Sequence, residues 1–375
     1  MLIRLIANIQ SPCHKASLLI ALFAFVGIRN PDAAAADNPS PRPAVGAIRW
    51  DGWHVDTAVG RAVSKSLTPA EWRHRLPFFA KIQESGPPEL RGDTPEVMTA
   101  EIAAAKTAHL DYWAFLAYDE ADPMTRGLRL YLANPRRADV SFCMISETAR
   151  WHRDNVDALA DRFAKLMAEP GYQRVAGGRP LFYFLHHQVD TLAPSWGSPE
   201  GFHEVVDKLR AAAAARGLPA PYVAVMTYDV NAAKALVDAA GLDAISAYAF
   251  QRGDDRATYA KLTGDLEKFW DIQRASKAPV IPLAMAGWDR RPRVQNPVPW
   301  EHFGGTMEKY YETATADQLA AHILSAVKWT QTHAQDCPAQ AVIIYAWNEF
   351  DEGGWLCPTL TEGDARVRAL GSILK

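Results

Sequence analysis

An α/β fold, a single-domain (β/α)8 TIM barrel, is predicted by three features of the sequence. Eight apolar runs show no polar alternation, segments with helical spacing of apolar residues separate them, and no glycine-rich phosphate loop follows any run. Uniformly apolar strands separated by helices indicate a parallel sheet covered on its faces, and eight of them within 45–375 suit a closed barrel better than an open doubly wound sheet.

In chain order, residues 1–36 stand apart. Arg4 and Lys15 precede the apolar run Ala16 to Ile28, and Ala34, Ala35 and Ala36 offer a small-residue cleavage site before Asp37, so this stretch reads as a secretory signal peptide. The run is too short to span a bilayer comfortably, and no other stretch looks transmembrane, so the expectation is a secreted or periplasmic protein with no membrane association in its mature form. Residues 37–44 read as a Pro-rich linker and 45–375 as the barrel domain. Strands are expected at Val45 to Trp53, Leu110 to Tyr118, Val140 to Ile145, Leu181 to Leu185, Tyr222 to Tyr228, Ala244 to Phe250, Val280 to Ala286 and Ala341 to Trp347. Helices are expected at Arg153 to Ala168, Glu200 to Arg216, Val230 to Ala240, Thr258 to Arg274, Ala316 to Thr332 and Asp364 to Leu374, and only a short one fits after Tyr118. Two start signals stand out: Thr68 with Pro69 and Glu71 as a capping box, and Ser198 before Pro199.

The composition, 49% hydrophobic and 22% charged, is that of an ordinary globular protein, but twelve Trp residues are unusual. Loss of residues 1–36 removes three cations and one anion and moves the formal charge from −3 to −5, which gives no reason to expect a nucleic-acid partner. Cys143, Cys337 and Cys357 would remain, without CxxC spacing, so thiolate metal binding is not expected. A strand separates Cys337 from Cys357, which favours free thiols over a disulfide.

In a barrel, the residues just past each strand share one rim, where barrel enzymes keep their catalytic groups. Here that rim is acidic and aromatic. It comprises Asp51, Trp53 and His54, then Tyr118, Asp119 and Glu120, then Glu147 and Trp151, then His186, His187 and Asp190. Tyr228 and Asp229, Tyr248 and Gln251, Trp288, Asp289, Arg290, Arg291 and Arg293 follow, and Asn348, Glu349, Glu352 and Trp355 complete the ring. Sugars present apolar C–H faces and many hydroxyls, so flat aromatic platforms with interspersed donors and acceptors suit a glycan substrate. Cleaving a glycosidic bond needs one carboxylic acid to protonate the leaving oxygen and a second carboxylate as base or nucleophile, and Glu349 and Glu352 are the candidate pair. Other readings of these residues are an acidic helix start for the two Glu, a structural ion pair between Asp289 and Arg293, and packing roles for Trp53, Trp151, Trp355 and the adjacent His186 and His187. No metal site is expected from His54, His186 and the rim acids, because no H-x-x-x-H or similar spacing accompanies them. No cofactor is expected.

The segment Ala346, Trp347, Asn348, Glu349, Phe350, Asp351, Glu352, Gly353 resembles the A-W-N-E-W-x-E-G signature of glycoside hydrolase family 99 and the wider 99-like group. Ala286 to Arg293 is similar to that group's G-W-D-x-x-P-R loop, and fainter similarity runs through Val45, Asp111 to Glu120 and Leu128 to Glu147. The resemblance implies a (β/α)8 barrel and a retaining carbohydrate activity. In that family the first Glu of N-E-x-x-E-G draws the proton from the sugar 2-hydroxyl and the second is the acid/base, roles that fall on Glu349 and Glu352. Phe350 stands where Trp is common, Cys357 and Pro358 where Glu-Pro is frequent, and Asp51 to His54 differ from the family's aromatic pairs, so mannose specificity does not carry over. Two alternatives remain: a non-catalytic carbohydrate-binding or polysaccharide-assembly protein, and a polysaccharide lyase in which Tyr118, Tyr228 or a His abstracts a proton beside a uronate neutralised by Arg293.

Overall fold

The computed structural model describes residues 42–187, 192–301 and 305–375. The expected signal at 1–36, residues 37–41 of the expected linker, and Asp190 lie outside the described residues.

All eight expected strands form. They are β1 (Ala44–Arg49), β2 (Tyr112–Leu116), β3 (Ser141–Glu147), β4 (Arg179–Leu185), β5 (Tyr222–Met226), β6 (Ala244–Ser246), β7 (Leu283–Met285) and β8 (Ala341–Tyr345). They pair in parallel in the order β7-β8-β1-β2-β3-β4-β5-β6. A parallel bridge between Ile245 on β6 and Val280 draws the two ends together: Ile245 N donates to Pro279 O at 2.8 Å and Ile281 N to Ile245 O at 3.0 Å. The sheet thus curls into a nearly closed barrel with helices between its strands, a single-domain TIM barrel. Several strands are shorter than the apolar runs that announce them. Trp50, Trp53, Ala346 and Trp347 lie beyond the last paired residues of β1 and β8 yet stay buried under the rim loops, and that burial extends the apolar run past the strand.

Arg42 and Pro43, expected in the linker, already belong to the barrel. The Arg42 guanidinium pairs with Asp111 at 2.5 Å and donates to the carbonyls of His109 and Leu374. Among the helices, Val230–Ala240 and Ala316–Thr332 have the expected bounds, and Ser198 caps Pro199–Ala214 by accepting from Gly201 N. Thr68 does not cap. It follows the helix Ala58–Ser66, its hydroxyl turns back to Ser64 O at 3.1 Å, and Pro69 leads only into a 3-10 turn, Ala70–Arg75. Thr94 makes the cap the sequence reading lacked: its hydroxyl accepts from Val97 N at 3.2 Å and Pro95 occupies the first turn of Pro95–Thr107. Cys143, Cys337 and Cys357 are buried free thiols.

The barrel interior is filled rather than open. The Tyr112 and Tyr183 hydroxyls meet at 3.1 Å, Tyr112 donates to Val342 O at 3.0 Å, and the ring of Tyr112 occupies the space where a Cβ on Gly46 would stand. Gly46→Ala is therefore expected to destabilise the fold by about 1–3 kcal/mol through overpacking, measured as a lower urea midpoint with an unchanged slope.

Candidate active site

The loops after β7 and β8 meet backbone to backbone, and glycine permits it. Gly353 has φ 83°, and a Cβ there would press on the Asp289 backbone, while one on Gly287 would overlap the Gly353 carbonyl. Asp289 N donates to Glu352 O at 2.7 Å, locking the two loops together. Asn348–Glu349 pairs antiparallel with Gly354–Trp355, and Phe350–Glu352 between them forms a 3-10 turn. The two acids stand at the two ends of this turn, and their carboxyls are brought together on Arg293, which approaches both, so that the charge of each acts on the other. Beneath them Asn348 ties β8 to β1, accepting from Trp50 N at 3.0 Å and donating to Trp50 O at 2.7 Å. Buried Glu101 supports the same corner, accepting from Trp347 Nε1 at 3.1 Å and pairing with Arg49 at 2.8 Å.

Arg293 is the electrostatic centre. It holds Asp351 with two parallel bonds of 2.8 and 2.9 Å, contacts Glu301 at 2.5 Å, touches Glu352 through the same Nη1, and lies 3.7 Å from Glu349 Oε2. Arg290 also bridges Glu301 and Glu352. The two motif carboxyls end up in opposite states. Burial, then the neighbouring charge of Glu352, push Glu349 well above the ordinary carboxylate range, and Arg293 at 3.7 Å does not offset them. Burial also acts on Glu352, but Arg293 and Arg290, with the Tyr345 hydroxyl donating to its Oε2, outweigh it and hold this group below its ordinary value. The two shifts are opposed, towards the protonated form of Glu349 and the charged form of Glu352, the reverse of the resting states that the family roles of base and acid require.

A stability effect follows from the sign of the Glu349 shift. A carboxyl whose folded pKa is raised contributes most below its unfolded pKa, and that contribution falls as pH rises from the unfolded towards the folded value. Glu349→Gln removes this penalty. The variant is expected to match the wild type in urea unfolding at pH 4 and to gain on it progressively between pH 5 and 8.

A cavity of about 730 Å³ opens over this corner, lined by Glu147, His186, Tyr228, Tyr248, Trp288, Trp300, Glu301 and Glu352 among others. Tyr248 donates towards Glu349 Oε1 at 3.5 Å, and the Glu349 Oε2 atom beside it has no hydrogen-bond partner. Tyr228 is exposed and stacks on Phe269, which presents its ring to the opening. Glu147 accepts from Arg150 at 2.8 Å and sits 3.5 Å from His187, while His186 Nδ1 lies 3.0 Å from Thr148 Oγ1. A second cavity of about 330 Å³ shares Trp288, Arg290 and Glu301 with the first and adds Arg293, Lys309 and Tyr310.

Other rim residues are placed elsewhere. Trp53 is buried edge-on between Trp50 and Phe350, Trp355 lies under Arg366 at 4.0 Å, and Trp151 stacks on Phe163, so none of these three rings is a platform. Trp53 and Trp355 share a cause, since the long segment after β1 and the hairpin after β8 fold back over the rim and cover it, while Trp151 is enclosed by Phe163, Phe184 and the Trp196 segment. Asp51 is buried against Arg49 at 2.9 Å, Asn348 is spent on Trp50, and His54 is buried, which lowers its pKa. Asp119 is exposed and lines neither cavity. Asp289 pairs with Arg75 and Arg291, not with Arg293, and is a buried structural anion. Tyr118 accepts from Trp50 Nε1 at 2.9 Å, and burial pushes its hydroxyl well above the ordinary phenol value. Sequence reading missed Trp300, Glu301 and Glu101. Trp300 and Glu301 carry the acid-beside-aromatic signal that marks the β8 loop, but in a proline-rich loop distant from any strand end.

No family model matches the chain, and no curated protein matches it. Among solved structures it is similar to the GH99 endo-α-mannosidase of Bacteroides thetaiotaomicron bound to Bis-Tris propane, with a TM-score of 0.55 and 14% identity over 89% of this chain and 96% of that one. A second structure of the GH99 endo-α-mannosidase from that organism gives a TM-score of 0.51 and 13% identity, over 89% and 97%. At such identity the likeness is one of fold, and it is the barrel that the two loop motifs anticipate.

Proposed function

We propose that the chain is a glycoside hydrolase of the family 99 type, acting without a metal on an oligosaccharide or polysaccharide, with Glu349 and Glu352 as its catalytic pair. One observation carries the reading: the two carboxyls of the β8 loop meet on Arg293, Glu352 lining a cavity with aromatic walls and Glu349 buried behind it, and their environments shift their pKa values in opposite directions. Retaining hydrolysis needs one acid and one base, and two carboxyls whose environments separate them supply both near neutral pH. By the family roles, Glu349 takes the proton of the sugar 2-hydroxyl and Glu352 protonates the departing oxygen. Since the two shifts run against those resting roles, the roles require Glu352 to gain a proton and Glu349 to release its own to solvent as the sugar enters. The similar structures support the reading through what they are, endo-α-mannosidases, while the sugar and linkage taken by this chain stay open to a screen.

The lyase reading loses two of its supports: burial raises the pKa of the Tyr118 hydroxyl, which accepts from Trp50, and Arg293 is already surrounded by carboxylates. Release of reducing ends from a panel of α- and β-linked glycans by the wild type, and its loss with retained binding in Glu349→Gln and Glu352→Gln, tests the proposal. Binding without turnover by the wild type would favour a carbohydrate-binding or assembly role. The chain is also proposed to work outside the cytoplasm, and N-terminal sequencing of the mature protein is expected to begin at Asp37.

A further inference from the structure

The two arginines beside Glu352 are shared with a third carboxyl that no motif marks. Glu301 comes from the loop after β7, and its Oε1 touches the same Arg293 nitrogen as Glu352 Oε1, at 2.5 Å from Glu301. Arg290 bridges the pair a second time, through Nη2 to Glu301 and through Nε, 3.6 Å from Glu352. Both carboxyls line the larger cavity, with side-chain exposures of 17% and 12%. The two carboxyls also hydrogen-bond each other, and although the arginines favour the ionised form of each, the charge of one opposes the ionisation of the other.

We propose that Glu301 is the residue that hands Glu352 its proton, a positioning and proton-supplying partner of the catalytic pair. The step balances without any further reagent. The O–H bond of Glu301 breaks and an O–H bond forms on Glu352. The negative charge moves from Glu352 to Glu301, and Arg290 and Arg293 neutralise it there without moving, because they already touch both acids. Glu352 then holds the proton that the leaving oxygen takes. Burial and the charge of Glu352 raise the Glu301 pKa, the direction that favours a proton on Glu301. This inference rests on the hydrolase reading for its use in turnover, but the shared proton is a property of the free protein.

The test therefore has two arms. In the first, carbon-13 NMR follows the Glu side-chain carboxyls of the full chain, without glycan, from pH 4 to 9. The wild type is expected to show a carboxyl coupled to Glu352 that titrates above the ordinary range; Glu301→Gln should abolish it, and in Glu352→Gln Glu301 should return to ordinary titration. Ordinary titration of Glu301 in the wild type, or a Glu352 profile unchanged by Glu301→Gln, overturns the proposal. In the second arm, Glu301→Gln should lower kcat about 10²-fold on the glycan found in the screen, with KM within about twofold, but leave 4-nitrophenyl glycosides, whose leaving group needs no proton, nearly unaffected. Glu301→Asp should recover part of the loss. Equal losses on both substrate types would mark a structural role and overturn the proposal. A wild type that cleaves no glycan would sink the hydrolase reading while the first arm still decides the shared proton.

Discussion

Replacing either Glu349 or Glu352 by Gln is expected to lower kcat/KM on the cleaved glycan by roughly 10²–10⁴-fold, while the fold and glycan affinity stay close to wild type. The amide keeps the shape of the carboxyl but cannot accept or deliver the transferred proton. The two variants should differ in stability. Glu352 is the charged partner of two arginines, so Glu352→Gln removes favourable pairing, whereas Glu349→Gln relieves the cost of a buried acid. If both lose activity and only Glu349→Gln gains stability towards alkaline pH, the opposite states of the two carboxyls are established by experiment. Steady-state kinetics with urea unfolding on the same preparations reads both.

Arg293→Met is expected to cost about 3–5 kcal/mol of stability, measured by chemical denaturation. The side chains of Arg293 and Asp351 are 6% and 0% exposed, and among the described residues the Ser66 hydroxyl, at 3.0 Å, is the other side-chain hydrogen bond to Asp351. A buried carboxylate that loses its cation pays nearly the full desolvation penalty, and that penalty exceeds what the pair contributes when intact. The double variant Arg293→Met with Asp351→Asn should therefore be more stable than Arg293→Met alone. An additive loss would mean that Arg293 does not neutralise Asp351.

The strands were readable because burial on both faces leaves an uninterrupted apolar run, a signal that needs no knowledge of neighbours. The β8 loop was readable because three acids among aromatics directly after such a run sit at the chemically useful end of a barrel. What failed was the assumption that every residue past a strand faces the opening. Trp53, Trp355, Asp51 and Asn348 obey the rim rule in position, but the segments after β1 and β8 fold over them, and loop paths leave no periodic trace in sequence. The same blindness hid Glu301, since only the folded loop shows that it shares two arginines with Glu352. Thr68 shows a local limit: Thr, Pro and Glu at capping-box spacing are followed by a 3-10 turn too short to need the cap, while the same Thr-Pro signal at Thr94 starts a full helix.

Proton NMR of the first products, taken before mutarotation, asks the most direct question of this site. A β8-loop carboxyl pair working through the sugar 2-hydroxyl must release a sugar whose anomeric configuration matches that of the bond cleaved. Retention, lost together with turnover in Glu352→Gln, is the result this account predicts. An inverted anomer, or an unsaturated sugar at the new end, would contradict it.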